Sequence, residues 1–517
     1  MLRSVTRVFQ RSSARPYMPA ALVLLSALAV RLMWLAYTGH TAEDAFITFR
    51  FARQLSQGLG FTYNAGERVY GTTTPLFTLL LSAWQLVTRC DIVLGAHILG
   101  LAASMGSLVL LDAVLRREDI SVGARLLALA VLSFSSKVLI LDLQGMEMPL
   151  VVFLMIASWL AFRVGRPGLA GLLAGCLLWT RFDLALWPVA LALVELRSDS
   201  KRAVTLAAVA ALTYLPWVVF AYLYFGSPIP HTVTAKQVAH GLSESAISGH
   251  LTTVLAYLSV LDLRFASQIP HLVAGGVTLG LAAWQAVRMR RSKAFRALSV
   301  FAALEFAGLV LLRATFQARY LYPLLWAVLV LATLGAASLW QAAAPRGRWL
   351  ARAAGLIGVA ALLIQAGLAA GRARATQRYR HEASLQAIGR WLAARGPEDA
   401  TVLLEPLGYV GYYSGMHMVD EVGLVSPDVV SLKLRGVPVE EYFAVYWPEY
   451  IVEHCDDAAR FDGTQTSSGI RFADDYTRVA TFDPLGPATL SGVRAAYTGL
   501  DRSSCYVVWD RNDPSPP

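Results

Sequence analysis

Glu43 and Asp44 are neighbouring carboxylates that follow the first apolar stretch of this 517-residue chain by only a few residues. They open a segment, 43–79, that is rich in charge, glycine and hydroxyl groups yet lies between two apolar ones. A carboxylate held at a bilayer surface can serve as a general base, taking the proton of an attacking hydroxyl. Inverting glycosyl transfer needs one such base, and it needs no strong acid when the leaving group is already a phosphate. The competing structural reading is a helix start, in which acidic residues satisfy free N–H groups and the helix dipole ahead of 45–55. Arg50 and Arg53 follow on the amphipathic stretch, where they would meet the carboxylates, lipid phosphates or simply solvent.

A phosphate leaving group calls for positive charge where negative charge develops. Arg181, Lys236, Arg313 and Arg319 fall at the expected outer loops or just beneath them. Arginine offers a planar fork and lysine a mobile point charge. Each alone could be an interface residue that snorkels, but their placement on one expected face points to a shared anion site. His231, in Pro228-Ile229-Pro230-His231-Thr232, is placed to orient a substrate or to be an ordinary loop histidine. Glu147 is a second outer carboxylate, with a helix-start acid as its bland reading. Oxygen ligands at Glu43 and Asp44 suit Mg²⁺ or Mn²⁺, but two adjacent carboxylates are no cage, so a divalent cation stays open. The chain contains no P-loop, GxSxG, HExxH or Cys/His metal set.

The elements that must position these residues are apolar helices. The chain is 56% hydrophobic and 15% charged, with mean hydropathy +0.50, against roughly 25% charged in soluble domains. Apolar runs near 18–37, 92–115, 124–141, 148–164, 168–196, 203–225, 270–288, 297–313, 320–341 and 350–371 mostly reach the ~17–20 residues of a membrane span. The expected fold class is a polytopic α-helical membrane protein of about 10–12 transmembrane or re-entrant helices with a C-terminal soluble α/β domain. The net charge of +10 does not indicate nucleic acid. Arg3, Arg7, Arg11 and Arg15 precede the first apolar run, Arg288, Arg290, Arg291, Lys293 and Arg296 share one loop, and Arg346, Arg348 and Arg352 share another. That is the positive-inside pattern, which puts the N-terminus in the cytoplasm and makes the first run a retained anchor. It leaves the loop 38–74 and the tail extracytoplasmic, provided that 75–88 is short or re-entrant.

The run 168–196 is bounded by basic residues at both ends, Arg163 and Arg166 before it and Arg197, Lys201 and Arg202 after it. It should therefore cross an even number of times. Two halves of about 14 residues span roughly 21 Å each, short of the ~30 Å hydrocarbon core. The apex, with Arg181 and Asp183, should then sit below the outer surface and line a wet cavity; a single tilted helix with an Arg181–Asp183 pair is the alternative. Domains of 1–374 and 375–517 follow. The tail shows a helical opening (381–395) and short apolar pieces at 401–404, 450–452, 477–482 and 505–509, interleaved with a helix signal at 427–435. Cys455 and Cys505 both lie in it, either as a disulfide or as two buried thiols.

These residues resemble a known family. The block from Glu43 through Gly60, Tyr63-Asn64, Gly66-Glu67-Arg68-Val69 and Thr74-Pro75-Leu76-Phe77 resembles the first outer loop of polytopic glycosyltransferases with the GT-C fold, relatives of protein mannosyltransferases and mycobacterial arabinofuranosyltransferases. Gln144-Gly145-Met146-Glu147-Met148-Pro149-Leu150, Thr180-Arg181-Phe182-Asp183, Pro228 to Lys236, and Ala318-Arg319-Tyr320-Leu321-Tyr322-Pro323 fit in order. Gly408 to Gly415 and Val419 to Leu424 look like the attached extracytoplasmic domain. The resemblance implies a bacterial plasma-membrane enzyme that transfers a sugar, with inversion, from a polyprenyl-phosphate donor to an extracytoplasmic glycan, lipid or protein acceptor. It makes Asp44 or Glu43 the base and Lys236 and Arg319 phosphate contacts, beside Arg50, Arg53, Glu147, Arg181, Asp183, His231 and Tyr320 as further candidate substrate-binding residues. The family usually reads Asp-Asp where Glu43-Asp44 stands, Val-Glu-Gly where Val69-Tyr70-Gly71 stands, and Arg-Pro-Glu where Arg181-Phe182-Asp183 stands. A flippase of lipid-linked sugars and a non-catalytic envelope scaffold are the alternatives, and removal of the tail beyond about 375 is the test that the sequence suggests for the scaffold.

Overall fold

The structure is a computed structural model that describes residues 18–240, 247–260, 268–311, 317–343, 348–379, 381–466, 469–483 and 505–512. Arg313, Arg346 and the N-terminal arginines lie outside the described residues. Among the described residues, six helices are long and apolar enough to cross a membrane, or seven if the bent pair Val122–Phe134 and Ser136–Leu143 is one span. Shorter apolar helices join them.

The chain opens with α1 (Met18–Thr38), turns at Gly39–Asp44 and enters the amphipathic α2 (Ala45–Ser56). The next helix, α3 (Pro75–Thr88), does not cross. It starts beside α2, with Thr74 Oγ1 3.3 Å from Thr48 Oγ1, and runs parallel to it, with Ser56 Oγ donating to Gln85 Oε1. Beyond its C-terminal end, Asp91 accepts from Tyr412 of the tail. Both ends of α3 therefore face the same side of the bundle as the tail. The spanning helix α4 (Ile92–Arg117) then carries Arg116 and Arg117 to the far end, where Arg163 pairs with Glu118.

The bundle continues through α5 (Val122–Phe134), α6 (Ser136–Leu143), α7 (Met148–Arg163), α8 (Pro167–Thr180), α9 (Leu186–Leu196) and α10 (Ser200–Phe225). α5 and α6 meet at a 57° bend at Ser135. α8 runs parallel to α10: Gly171 lies against Leu206, Gly175 against Thr213, and Trp179 Nε1 donates to Thr213 O at 2.7 Å. Three residues join α9 to α10, and the two helices pack together, so α9 runs back against α8 as a hairpin. Its apex is Arg181, in extended backbone (φ −154°, ψ 104°), followed by a 3₁₀ turn at Phe182–Ala185. Then come α11 (His231–His240), α12 (Ile247–Leu258), α13 (Gln268–Arg288), α14 (Lys293–Leu311), α15 (Ala318–Ala343) and α16 (Arg348–Tyr379). The expected domain boundary at 374/375 falls inside α16, so a rigid helix rather than a linker leads into the tail.

The tail contains α17 (His381–Ala393), β1 (Thr401–Leu404), α18 (Leu407–Ser414), β2 (His417–Asp420), α19 (Pro427–Leu434), β3 (Tyr450–His454), β4 (Tyr476–Phe482) and β5 (Tyr506–Arg511). The five strands form one sheet in the order β2-β1-β3-β5-β4, parallel across β2-β1-β3 and antiparallel across β3-β5-β4. β2 was not expected: His417-Met418-Val419-Asp420 is four residues long, and its strand character comes from pairing with β1. Cys455 and Cys505 form a disulfide that closes a 50-residue separation, a constraint on the unfolded chain of about 4 kcal/mol in the chain-entropy model. One apolar cluster continues from the first loop into the tail, with Phe46, Phe51 and Tyr63 packed with Leu385, Val402 and Tyr409. The tail is fused to the membrane domain rather than hung from it.

Candidate active site

Five separated segments meet at the end of the bundle that carries the tail. Asp44 lies in the turn ahead of α2, and its Oδ2 accepts from Nη1 of Arg319 at the start of α15. The next residue, Tyr320, accepts from Lys236 Nζ at 3.4 Å. Its ring centre is 4.8 Å from the Arg181 guanidinium and 5.6 Å from that of Arg319. Arg181 is gripped by Asp183 through two bonds (Nε to Oδ1 2.9 Å, Nη2 to Oδ2 2.6 Å) and by Glu147 (Nη1 to Oε1 3.0 Å). Tyr320 is thus the hub of a cation cluster that has Asp44 on its rim. Asp44 and Asp183 keep 35% and 37% of their side-chain surface exposed, while Arg181 keeps 5%. The two aspartates are the half-exposed members of the cluster, and the arginine is its buried floor.

Local structure explains the placement. Glu147 caps α7, whose second residue is Pro149, so α7 begins where Arg181 needs a carboxylate. α15 is fixed three residues past Arg319, where Tyr322 OH donates to Asp142. Asp142 also accepts from Arg31 Nη2 (3.2 Å) and Ser104 Oγ, and Arg31 and Asp142 are fully buried. Removing one partner of a buried ion pair costs about 3–5 kcal/mol, so this network pins α1, α4, α6 and α15 at one height. α11, which carries Lys236, is anchored by His231 N donating to Tyr70 O at 2.9 Å.

The two neighbouring carboxyls differ in state. Burial pushes the Glu43 carboxyl well above the usual carboxylate range, and the Asp44 charge adds to it. Burial would raise Asp44 as well, but the charges of Arg319 and Lys236 outweigh it and hold Asp44 below its ordinary value. The neighbours are thus pushed in opposite directions, Glu43 toward its protonated form and Asp44 toward its ionised one, and Glu43 Oε1 accepts from the Gly408 N–H of α18. Of the two expected bases, Asp44 faces the cations and Glu43 does not.

Other expected site residues are placed elsewhere. Arg50 is buried, with Nε donating to Tyr63 O at 2.8 Å, Nη1 to Gly411 O and Nη2 to Met416 O, both at 2.6 Å. Arg53 donates to Tyr412 O at 2.8 Å and stacks 3.4 Å from the Tyr412 ring centre. Both bond the tail, because α18 and the residues after it present carbonyls where the sequence suggested solvent or phosphate. His231 faces Gly423 and Asp420 of the tail. Glu147 is 2% exposed and spends its carboxylate on Arg181. Glu43 Oε1 accepts from Gly408 N–H and Asp44 Oδ2 from Arg319, and among the described residues there is no group of three His, Cys, Asp or Glu side chains that could hold a metal.

Glu305 escaped the sequence reading. It is 7% exposed within α14. On the same face, Phe301 packs on Trp187 with ring centres 5.2 Å apart and Gly308 lies against Leu186, which turns Glu305 to the hairpin apex and the charges of Asp183 and Arg181. A lone acid inside the apolar run 297–313 was the available signal. The ion pair of Arg31 and Asp142 was also visible as charge at apolar runs.

A family model described as a domain of unknown function (DUF8728) matches residues 372–509. No curated protein matches the chain. Among solved structures, the chain is similar to ArnT from Cupriavidus metallidurans in the apo state, with 14% identity and a TM-score of 0.60 over 95% of this chain and 97% of that one. It is similar to the same protein bound to undecaprenyl phosphate, with 14% identity and a TM-score of 0.59 over 97% and 99%. It is also similar to the Archaeoglobus fulgidus oligosaccharyltransferase tethered to an acceptor peptide, with 11% identity and a TM-score of 0.56 over 85% and 69%. At these identities the likeness establishes architecture: the chain is a multi-pass helical membrane protein of the GT-C fold with a small C-terminal sheet domain.

Proposed function

We propose that the protein is an inverting glycosyltransferase that moves a sugar from a polyprenyl-phosphate donor to an extracytoplasmic acceptor. The observation that carries this reading is an ionised Asp44 on the rim of a cation cluster built by Arg319, Lys236 and Arg181 around Tyr320. Asp44 takes the proton of the acceptor hydroxyl, whose oxygen attacks the anomeric carbon from the face opposite the phosphate. The bond between that carbon and the phosphate oxygen breaks, its electron pair stays on the phosphate, and Lys236 and Arg319 stabilise the charge. In the free protein Arg319 is bonded to Asp44, which weakens the base. Transfer of Arg319 to the donor phosphate restores basicity when the substrate arrives.

The architecture shared with ArnT, one of whose structures holds undecaprenyl phosphate, supports a lipid-phosphate donor. Sidedness follows the positive-inside rule. Arg116, Arg117 and Arg163, and the Lys293–Glu195 pair, lie at the end of the bundle away from the tail, which supports reading that end as cytoplasmic and the site as outside. The test is transfer from undecaprenyl-phosphate sugars by purified protein and by Asp44→Asn. Loss of transfer with retained undecaprenyl-phosphate binding supports the reading. Equal turnover in both rejects it, and lipid translocation by both in proteoliposomes favours a flippase.

A further inference from the structure

The segment Leu407-Gly408-Tyr409-Val410-Gly411-Tyr412-Tyr413-Ser414 stood out in the sequence, and the chemistry proposed above gives it no task. In the structure it is α18, and it presses on the first loop at every turn. Gly408 N–H donates to Glu43 Oε1. Tyr63 OH donates to Leu407 O at 2.8 Å, Tyr409 OH donates to Thr41 O at 2.8 Å, and Arg50 and Arg53 bond the carbonyls of Gly411 and Tyr412. Gly408 and Gly411, three residues apart and so on one face, are what permit the approach. A Cβ at Gly408 would overlap the Glu43 carbonyl oxygen and stand 2.6 Å from Oε1. A Cβ at Gly411 would overlap the Tyr63 hydroxyl and stand 2.9 Å from Arg50 Nη1.

Two hydrogen bonds on adjacent residues result: Gly408 N–H donates to Glu43, and Arg319 donates to Asp44, the next residue in the chain. They join the tail to a membrane helix through the acidic pair. We propose that α18 of the C-terminal domain positions the base, with Gly408 and Glu43 as its positioning residues. Gly408 holds one oxygen of the Glu43 carboxyl, and the carboxyl, as a neutral acid, donates its proton toward Asp44 and fixes that side chain against the cations. The tail is then one wall of the site, and Glu43 takes no proton from the acceptor. This rests on the glycosyltransferase reading and assigns within it the part played by the tail.

The chemistry makes the test sharp, because glutamine mimics a protonated glutamate: its N–H₂ donates to Asp44 and its carbonyl accepts from Gly408. Glu43→Gln should keep kcat within about threefold, whereas Glu43→Ala and Gly408→Ala should lose roughly tenfold or more in kcat, the scale of a displaced catalytic group. Affinity for undecaprenyl phosphate, measured directly, should stay within about twofold in all three, since binding and positioning are separate losses. A Glu43→Gln protein as inactive as Asp44→Asn, or a Gly408→Ala protein as active as the parent, overturns the proposal. A parent protein that transfers no sugar overturns the glycosyltransferase reading instead. Infrared difference spectra between parent and Glu43→Gln need no turnover and decide the same point: a lost protonated-carboxyl C=O band supports the proposal, and a lost carboxylate band overturns it even where Gly408→Ala fails to fold.

Discussion

Arg319 donates to Asp44 across 275 residues of chain, and that single bond closes the candidate site. It holds Asp44 below its ordinary value and ties the first loop to the start of α15. Removing the Asp44 charge while keeping its shape, as Asp44→Asn, should lower kcat/KM by about 10²–10⁴-fold, the usual worth of a general base. Steady-state kinetics with an undecaprenyl-phosphate sugar would measure it, and a loss below tenfold would remove Asp44 from the chemistry.

The pH profile should carry the signature of the same cluster. Arg319 and Lys236 hold Asp44 below its ordinary value against burial. Activity should therefore be present above that depressed value and lost only as pH falls through it, on the acid side of the usual carboxylate range. Lys236→Gln or Arg319→Gln removes a neighbouring cation, so the acid limb of kcat/KM should move to higher pH. A limb that stays in place in both variants would mean that another group titrates.

Arg50 should behave as a clamp. Its guanidinium bonds backbone carbonyls of the first loop and of α18, and hydrogen bonds from charged groups contribute about 1.5–3 kcal/mol each. Arg50→Ala should cost at least ~3 kcal/mol in the joint stability of loop and tail, read as a lower Tm and as faster protease nicking between them. Truncation past residue 375 removes the same acceptors, so loss of activity on truncation cannot distinguish a scaffold from an enzyme whose site needs its tail.

The tail should be more stable in mild acid than at neutral pH. Burial, and then each other's proximity, raise Glu421 well above its ordinary value, and burial also raises Glu453. Among the described residues, Oε1 of Glu421 and Oε2 of Glu453 have no donor from another side chain or the backbone. For acids whose folded values are raised, the stabilising contribution is complete below the unfolded value near 4.5 and is lost as pH rises through the folded one. Glu421→Gln should accordingly raise the Tm at pH 7 and have no effect near pH 4; a stabilisation equal at both pH values would contradict this.

The amino-acid sequence alone determined the membrane architecture, the acidic first loop, the hairpin at Arg181 and four of the five tail strands. Each depends on local quantities: apolar run length, the position of basic residues at run ends, and short alternating segments. Tertiary structure alone decided that Asp44 and Glu43 are shifted in opposite directions, that Arg50 and Arg53 bond carbonyls of the tail, that Tyr320 is a hub, and that His417–Asp420 is a strand. Those outcomes depend on distances between residues hundreds of positions apart and on the burial that packing creates. A carboxylate's charge and an arginine's partner are set by what surrounds them in space, which the order of residues along the chain does not state.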